Sequence, residues 1–324
     1  MNTIRKKLSH IPQMPVTLTP TPFHRLDHIS RLTGCNIYIK RDDLTGFALS
    51  GNKTRKFDFL IAEAINQGCD TLIGIGANQS NFCRIAAGVG AKFGLDVHLV
   101  LNGKKPEIPT GNLRVNHILD AKIHHIDTKD SKERMNHALF IKDQLLTEGK
   151  KAYFMPPGGS TKTGTYGYAL GFEEILSDAE KQHIEIHKIF HASSSAGTQA
   201  GLVLGQAITG WTGEIHGISV DTPQNQLVED VFALASAAGH DIGVTIDKRK
   251  IFTDDSYVGE GYGKKTEGCV QAVKLFAKSE GIFLDYVYTG KAAVGLLDYC
   301  KTGKVKAGQN IVFLHTGGNI ELFE

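Results

Sequence analysis

The feature that most restricts the fold of this chain is an alternation. From residue 36 onward, short apolar runs are followed repeatedly by longer stretches of helical period. Strand-like runs lie at Asn36–Arg41, Thr71–Ile75, Asp96–Leu101, Lys122–Ile126, Ala152–Met155, Lys188–Ala192, Glu214–Val220 and Asn310–His315. Helix-like stretches between them include 57–67, 81–93, 131–146, 198–208, 266–280 and 292–299. Alternation of this kind predicts an α/β protein with mostly parallel sheets, because parallel neighbours need a crossover and helices supply it. The strands read as nearly continuous apolar runs, as strands covered on both faces should. The first 35 residues differ. Pro12, Pro15, Pro20 and Pro22 punctuate them, and Thr19–Pro22 reads as an extended arm leading into a short helix from His24 to Leu32. No repeat or linker divides the chain, so a two-domain arrangement requires it to leave one domain and return.

Composition narrows the function classes. At 324 residues with 41% hydrophobic and 22% charged, the chain can bury a large core. A net charge of +2 gives no electrostatic footprint for nucleic acid. No apolar run reaches the roughly 18 residues a membrane span needs. The basic N-terminus, Met1 to Lys7, lacks the apolar core of a signal peptide. The five cysteines are odd in number, scattered and without a C-x-x-C pair, which predicts a reducing, cytoplasmic setting and no thiolate metal site. His183, His187 and His191 are spaced four apart, but their segment runs from a helix end into a strand, so no metal is expected there either.

In such sheets ligands bind beyond the carboxyl ends of strands, and four post-strand loops stand out. Ser50-Gly51-Asn52-Lys53-Thr54-Arg55-Lys56 places a lysine in the first turn of a helix. The helix dipole and the neighbouring cations Arg55 and Lys56 should lower the pKa of Lys53 toward the free amine that Schiff-base chemistry uses. The same residues also describe a solvated basic turn. Gly76 to Asn81 offers amides at a helix N-terminus, suited to a carboxylate or phosphate, or simply an N-cap by Asn78 or Ser80. Ser193 to Gly201 has the composition of a phosphate cradle, without the pattern of a Walker A or dinucleotide fingerprint. His315 to Asn319 ends the last strand, and Tyr262 and Tyr288 lie in glycine-rich loops before it.

Eight ordered segments give the chain a resemblance that covers nearly its whole length. They are Lys40–Asp43, Gly51–Lys56, Gln79–Asn81, Pro157–Ser160, Ala196–Gly201, Gly261–Gly263, Val287–Lys291 and His315–Gly318. Together they resemble the fold-type II pyridoxal-phosphate enzymes. Within that group they are most similar to the branch of D-cysteine desulfhydrases, L-cysteate sulfo-lyases and 1-aminocyclopropane-1-carboxylate (ACC) deaminases, and nearest the desulfhydrases. The resemblance implies a tryptophan synthase beta-like fold of two three-layer α/β/α domains. The larger is discontinuous, 1–52 plus 161–324, and the smaller, 53–160, is inserted. It implies a pyridoxal 5′-phosphate cofactor, a small amino-acid substrate and a homodimer. It implies that Lys53 carries the cofactor and then moves the substrate α-proton, and that Lys56 helps hold the phosphate in the cradle of Ser195, Ala196, Gly197 and Thr198. Asn81 would meet the ring oxygen, with Tyr288, Thr289 and Thr316 also on the cofactor. Ser80, Tyr262 and Tyr288 would act in catalysis. Asn78, Gln79, Ser80, Asn81, Phe82, Gly159 and Ser160 would line the substrate.

Two positions choose among activities. ACC deaminases of the resembled branch typically carry glutamate after the site tyrosine and leucine where this chain has Thr316; here the pair is Thr289 and Thr316. A neutral partner at the ring nitrogen makes a weaker electron sink, sufficient to expel thiolate or sulfite but poorly suited to opening a cyclopropane. The expected reaction is therefore α,β-elimination, D-cysteine giving pyruvate, ammonia and hydrogen sulfide. The alternatives are an L-cysteate sulfo-lyase, an ACC deaminase releasing 2-oxobutyrate, or a catalytically silent cofactor-binding homologue. Four residues depart from the pattern: Phe82 for a usual histidine or glutamine, Ser194 and Ser50 for glycines, and Tyr286 for a proline.

Overall fold

The apolar runs do form two parallel sheets, and their strand orders show which loops meet. The structure, a computed structural model, describes residues 3–128 and 130–323, so Met1 and Asn2 of the basic N-terminal segment lie outside the described residues. Strands β1 (Phe23–Arg25), β2 (Asn36–Arg41), β7 (Lys188–Ser193), β8 (Glu214–Ser219), β9 (Phe252–Asp254) and β10 (Asn310–His315) form a six-stranded sheet in the order β1-β2-β10-β7-β8-β9. Strands β3 (Thr71–Ala77), β4 (Asp96–Asn102), β5 (Lys122–Ile126) and β6 (Ala152–Met155) form a four-stranded sheet in the order β5-β4-β3-β6. Every pairing is parallel except β1 with β2.

Eleven helices connect the described strands: α1 (Thr3–Lys7), α2 (Asp27–Thr33), α3 (Lys53–Asn66), α4 (Asn81–Phe93), α5 (Gly111–Ile118), α6 (Ser131–Thr147), α7 (Lys162–Lys181), α8 (Gly197–Thr209), α9 (Gln224–Asp241), α10 (Glu267–Glu280) and α11 (Thr289–Lys301). Among the described residues no helix is long and apolar enough to cross a membrane. His183 lies in the turn after α7 and His191 is buried in β7, so the three spaced histidines do not share a helix.

One expectation needs correcting. Helix is expected from His24, yet residues 23–25 are a strand and α2 begins at Asp27. The reason is tertiary: His24 pairs antiparallel with Ile39, and only β2 can offer that edge. The alternation also leaves α7 unassigned, although it is the longest helix described. Helix α7 is buried over most of its circumference between α3 and α8, so no polar stripe marks its period. Its glycines serve close approach. A Cβ on Gly167 would sit 2.0 Å from the Arg55 carbonyl oxygen of α3, so only glycine lets the two backbones touch.

Beneath α3 and α7 lies a buried ionic cluster. Asp42 accepts from Arg55 Nε at 2.7 Å and Nη2 at 2.8 Å, from Tyr168 Oη at 2.6 Å and from Thr21 Oγ1 at 2.8 Å. Glu174 pairs with Arg55 at 2.9 Å and with Lys40 at 2.6 Å, and Lys40 also meets Asp178 at 2.6 Å. Five elements (the N-terminal arm, β2, the turn after it, α3 and α7) are thereby fixed to one another. This cluster sets the angle at which α3 presents its first residue, Lys53.

Candidate active site

Carboxyl-end loops of both sheets converge on a cavity of about 380 Å³. Ten of the expected site residues line it: Lys53, Ser80, Asn81, Phe82, Ser195, Ala196, Thr198, Tyr262, Tyr288 and Thr316. Local sequence explains how they arrive there. Ser80 caps α4, its Oγ accepting from Cys83 N at 3.2 Å, which leaves Asn81 as the first helical residue. Ala196, at φ 63°, turns the chain sharply from β7 into α8. Before Lys53, Ala48, Leu49 and Ser50 all adopt positive φ (42°, 64° and 63°). Non-glycine residues hold such a run only when tightly clamped. The clamp is the buried Arg84, which donates to the carbonyls of Ala48 and of Ser50, the latter at 2.9 Å, and to Asn81 Oδ1 at 3.1 Å. One side chain thus ties the lysine loop to the amide loop.

Lys53 Nζ lies 3.2 Å from Asn52 Oδ1. Burial pulls its ammonium down to about 8. The Arg55 contribution expected from sequence is therefore corrected: Arg55 is already compensated by Asp42 and Glu174, and dehydration is the leading cause. Lys56 lies one turn on, also buried, with Nζ 2.9 Å from Gly158 O and 3.4 Å from Ser160 Oγ. Burial, and then the charge of Lys53, pull it well below the ordinary lysine range. An amine-directed reagent is therefore expected to label Lys53 in cofactor-free protein with a midpoint near pH 8, not near 10.5. A midpoint above 10, read by peptide mass spectrometry across a pH series, would contradict the burial argument.

The donor set fits pyridoxal phosphate. No carboxylate lies within 4.0 Å of Lys53 or Lys56 among the described residues, so the two amines stand without an anionic partner. The first turn of α8 leaves backbone N–H groups without intrahelical acceptors. Ser160 Oγ donates to Ser195 Oγ at 2.9 Å and Asn52 Nδ2 to Thr198 Oγ1 at 3.0 Å, which leaves the Ser195 and Thr198 hydroxyl protons available to an anion. A Cβ on Gly197 would lie 2.7 Å from both Lys56 Nζ and Ser160 Oγ, so the cradle closes only around glycine. Asn81 Oδ1 is occupied by Arg84 and Asn112, both at 3.1 Å, so its Nδ2 is the end available to a ring oxygen.

The remaining expected residues do not line the cavity. Gly197 lies within the cradle backbone without lining the cavity, and Lys56 sits one layer behind it. Asn78 turns outward to Lys104 O at 2.9 Å, and the Gln79 side chain is spent on α5, its Oε1 accepting from Asn112 N at 2.8 Å. Gly159 abuts Phe82, and Ser160 supports Ser195. Thr289 is buried with its hydroxyl on Asp285 Oδ2 at 2.6 Å, so a carboxylate stands directly behind the residue read as neutral. Phe82 is only 2% exposed and stacks on Phe57 at 5.4 Å, making the cavity wall on that side apolar.

Other residues that the sequence reading did not single out also line the cavity. Asp221 is the sole carboxylate among them; it follows β8 and accepts from Ser194 Oγ at 2.8 Å, so the post-strand rule could have found it. Asn52 lies beside the lysine. Arg134 projects from α6 with Nη1 3.0 Å from Thr128 O, and nothing in its own segment points to a site. In the same cavity lining, Tyr262 and Tyr288 share a 2.5 Å hydroxyl contact. Partial desolvation lifts Tyr262, which is 42% exposed, to about 12, and burial with the neighbouring phenol holds Tyr288 well above the ordinary phenol range, so both are neutral phenols.

Over residues 16–317 the chain matches the family described as Pyridoxal-phosphate dependent enzyme. A Pyrococcus furiosus protein named "Putative 1-aminocyclopropane-1-carboxylate deaminase" is 39% identical over 320 residues, 97% of this chain and 94% of that protein. The D-cysteine desulfhydrase of Yersinia pestis is 37% identical over 329 residues, 99% of this chain and 98% of its own. Among solved structures, an ACC deaminase homologue superposes with a TM-score of 0.93 at 36% identity, covering 100% of this chain and 97% of that one. Threonine deaminase isoform 2 from Solanum lycopersicum, with a TM-score of 0.69 at 19% identity over 98% of this chain and 85% of that one, shares the fold. With the lysine, the cradle and the two parallel sheets in place, the chain belongs to the pyridoxal-phosphate dependent enzyme family, with the fold-type II architecture, in the lyase branch that holds these named relatives.

Proposed function

We propose that this enzyme removes the β-substituent of a small amino acid, with D-cysteine as substrate and pyruvate, ammonium and sulfide as products. The observation that carries this reading is that Lys53 and the hydrogen-bonded Tyr262–Tyr288 phenol pair line one cavity. An amine base and a neutral phenol acid are what elimination needs. The cavity is assigned to the junction of two domains, 1–52 plus 161–324 and 53–160, each built on one sheet.

When bound, pyridoxal phosphate supplies the sink for the electrons left at the α-carbon. Every other task falls to the chain. Ser80 and the N-terminus of α4 bind the substrate carboxylate through hydroxyl and backbone N–H groups. Lys53 Nζ takes the α-proton as the free amine. The Cβ–S bond then breaks, its electron pair leaving with sulfur, and the phenol pair donates the proton that sulfur accepts. The aminoacrylate released takes up one water to give pyruvate and ammonium. Phe82, stacked on Phe57, keeps the cavity wall beside Ser80 and Asn81 apolar.

The test is direct. Holoenzyme is given D-cysteine, L-cysteine, L-cysteate or ACC, and keto acid is followed with sulfide or sulfite. Equal amounts of pyruvate and sulfide from D-cysteine are expected. Formation of 2-oxobutyrate from ACC without sulfide from cysteine would replace elimination by ring opening. No keto acid from any of the four, with cofactor bound, would mark a silent homologue.

One observation favours a second reading. Arg134 lines the cavity with no carboxylate within 4.0 Å among the described residues, and a sulfonate side group would supply the missing charge. A charge-assisted hydrogen bond contributes about 1.5–3 kcal/mol. Arg134→Ala is therefore expected to lower kcat/KM for cysteate roughly 10- to 100-fold, and to change that for D-cysteine little. Equal losses on both substrates would remove Arg134 from substrate selection.

A further inference from the structure

The cavity's tyrosine wall depends on a turn whose hold comes from the C-terminal segment. Tyr288 ends the turn between α10 and α11. Asp285 holds one side of that turn, its Oδ1 accepting from Val287 N at 2.9 Å and Tyr288 N at 2.6 Å, and its Oδ2 from Thr289 N at 3.0 Å. The Tyr286 N–H has a different acceptor. It donates to Glu321 Oε2 at 2.8 Å, an atom that also accepts from Val287 N at 3.1 Å. Glu321 lies on the short 3-10 turn Asn319–Phe323, and that turn packs against α5. Helix α5 in turn carries Asn112, which holds Gln79 O at 2.9 Å and Asn81 Oδ1 at 3.1 Å. A single short segment therefore touches the supports of both cavity walls, the phenol side and the amide side.

We propose that Glu321 is a positioning residue for Tyr288, its carboxyl latching the 285–288 turn to the C-terminal segment so that the Tyr288 hydroxyl meets Tyr262 in the cavity. The proposal rests on the assignment of Tyr288 to the reaction. It is available to this chain because residue 286 is not proline, which has no N–H to donate. The latch is also sensitive to pH, because its two carboxyls are neighbours. Burial first, and the Asp285 charge second, raise Glu321 to about 8. The other ionisable groups around it are Lys265, whose ammonium lies 4.2 Å from the Tyr286 ring centroid, Cys269, whose thiol meets Tyr286 O, Lys291, and the two phenols. Below that pH the pair of carboxyls retains a proton and one carboxyl can accept the Tyr286 N–H without like-charge repulsion. As pH rises through about 8 that proton is lost and the turn is pushed off its latch. The sign follows: a carboxyl raised in the folded state contributes order that is lost as pH rises.

The test compares Glu321→Gln, which keeps an acceptor and cannot ionise, with Glu321→Ala and Glu321→Asp, which lose the acceptor or its reach. The readout is amide hydrogen exchange of the 284–291 peptide in the pyridoxal-phosphate-loaded enzyme, normalised to intrinsic rates, from pH 6.5 to 9. In Glu321→Ala and Glu321→Asp, protection at pH 7 is expected to fall about fivefold, the ratio corresponding to one net hydrogen bond. In the natural protein it should fall with rising pH, and in Glu321→Gln it should not. Turnover of D-cysteine should follow the same pattern: lower kcat at little-changed KM in the alanine and aspartate variants, and an alkaline limb abolished by glutamine. Unchanged protection in both shortened variants, or an alkaline loss that persists in Glu321→Gln, overturns the latch. If the natural protein does not turn over D-cysteine, the substrate reading has failed, while the exchange data still decide the latch. If Glu321→Ala does not fold, Glu321→Asp and Glu321→Gln decide it.

Discussion

Replacing Lys53 by alanine is expected to remove the absorbance band of the lysine-bound cofactor and to lower D-cysteine turnover by at least roughly 10³-fold, the loss of a positioned base and of its covalent role together. The fold should survive. Lys53 makes one hydrogen bond, to Asn52, and its burial is a cost that alanine relieves, so the unfolding midpoint should not drop. Absorbance spectra, pyruvate formation and urea unfolding on the same preparation check all three statements. Retention of the band in Lys53→Ala would transfer the role to another amine. Lys56 is the control, because it lies one layer behind the cradle against Gly158 O and Ser160 Oγ. Lys56→Ala should weaken retention of the cofactor and leave the band's position unchanged.

The largest loss of stability is expected from Asp42→Ala. Asp42 is 1% exposed and accepts four hydrogen bonds, two of them from Arg55. Its removal leaves the Arg55 guanidinium buried with Glu174 as its remaining carboxylate, and breaking a buried pair from one side costs about 3–5 kcal/mol. Urea unfolding should show a lower midpoint with an unchanged slope. The pH dependence carries a second signature. Burial alone would raise both carboxyls, but Arg55 outweighs it at Asp42, and Arg55 with Lys40 holds Glu174 at about 2. Carboxyls depressed in the folded state contribute stability that is present above the ordinary carboxylate range and is lost as pH falls toward 2. The natural protein should therefore destabilise steeply on acidification, and Asp42→Ala less steeply. A variant with the same acid limb as the natural protein would show that the cluster does not set acid stability. Activity should fall along with stability, because the cluster orients α3 and α3 begins at Lys53.

Much of this could be read from the chain because the relevant physics is local. Strand and helix periods follow from side chains facing the same buried layer, so β2, β5, β6, α4 and β10 have their expected bounds within a residue. Small residues after a strand mark backbone approach to a ligand, which is why the lysine loop, the Ser80–Asn81 turn and the Ser195–Thr198 cradle all reach the cavity. Helix α7 could not be read this way, because a helix covered on nearly all sides has no polar face to announce its period. His24 could not either, since its strand exists only by pairing with β2.

The sequence by itself determined the α/β class, the Schiff-base lysine candidate, the cradle and the resemblance to pyridoxal-phosphate lyases, all of which rest on residue type and order along the chain. Tertiary structure alone decided the quantities that depend on what surrounds each group. It gave burial, not the charge of Arg55, as the leading reason Lys53 is pulled toward its free amine, because Arg55 is neutralised by residues 13 and 119 positions away. It moved Thr289 off the cavity wall and put Asp285 behind it. It brought Arg134 of α6 to the cavity and Glu321 to the turn that carries Tyr288, although nothing in their own segments points there. Dehydration and long-range charge pairing are sums over neighbours in space, and one-dimensional order leaves those neighbours undetermined.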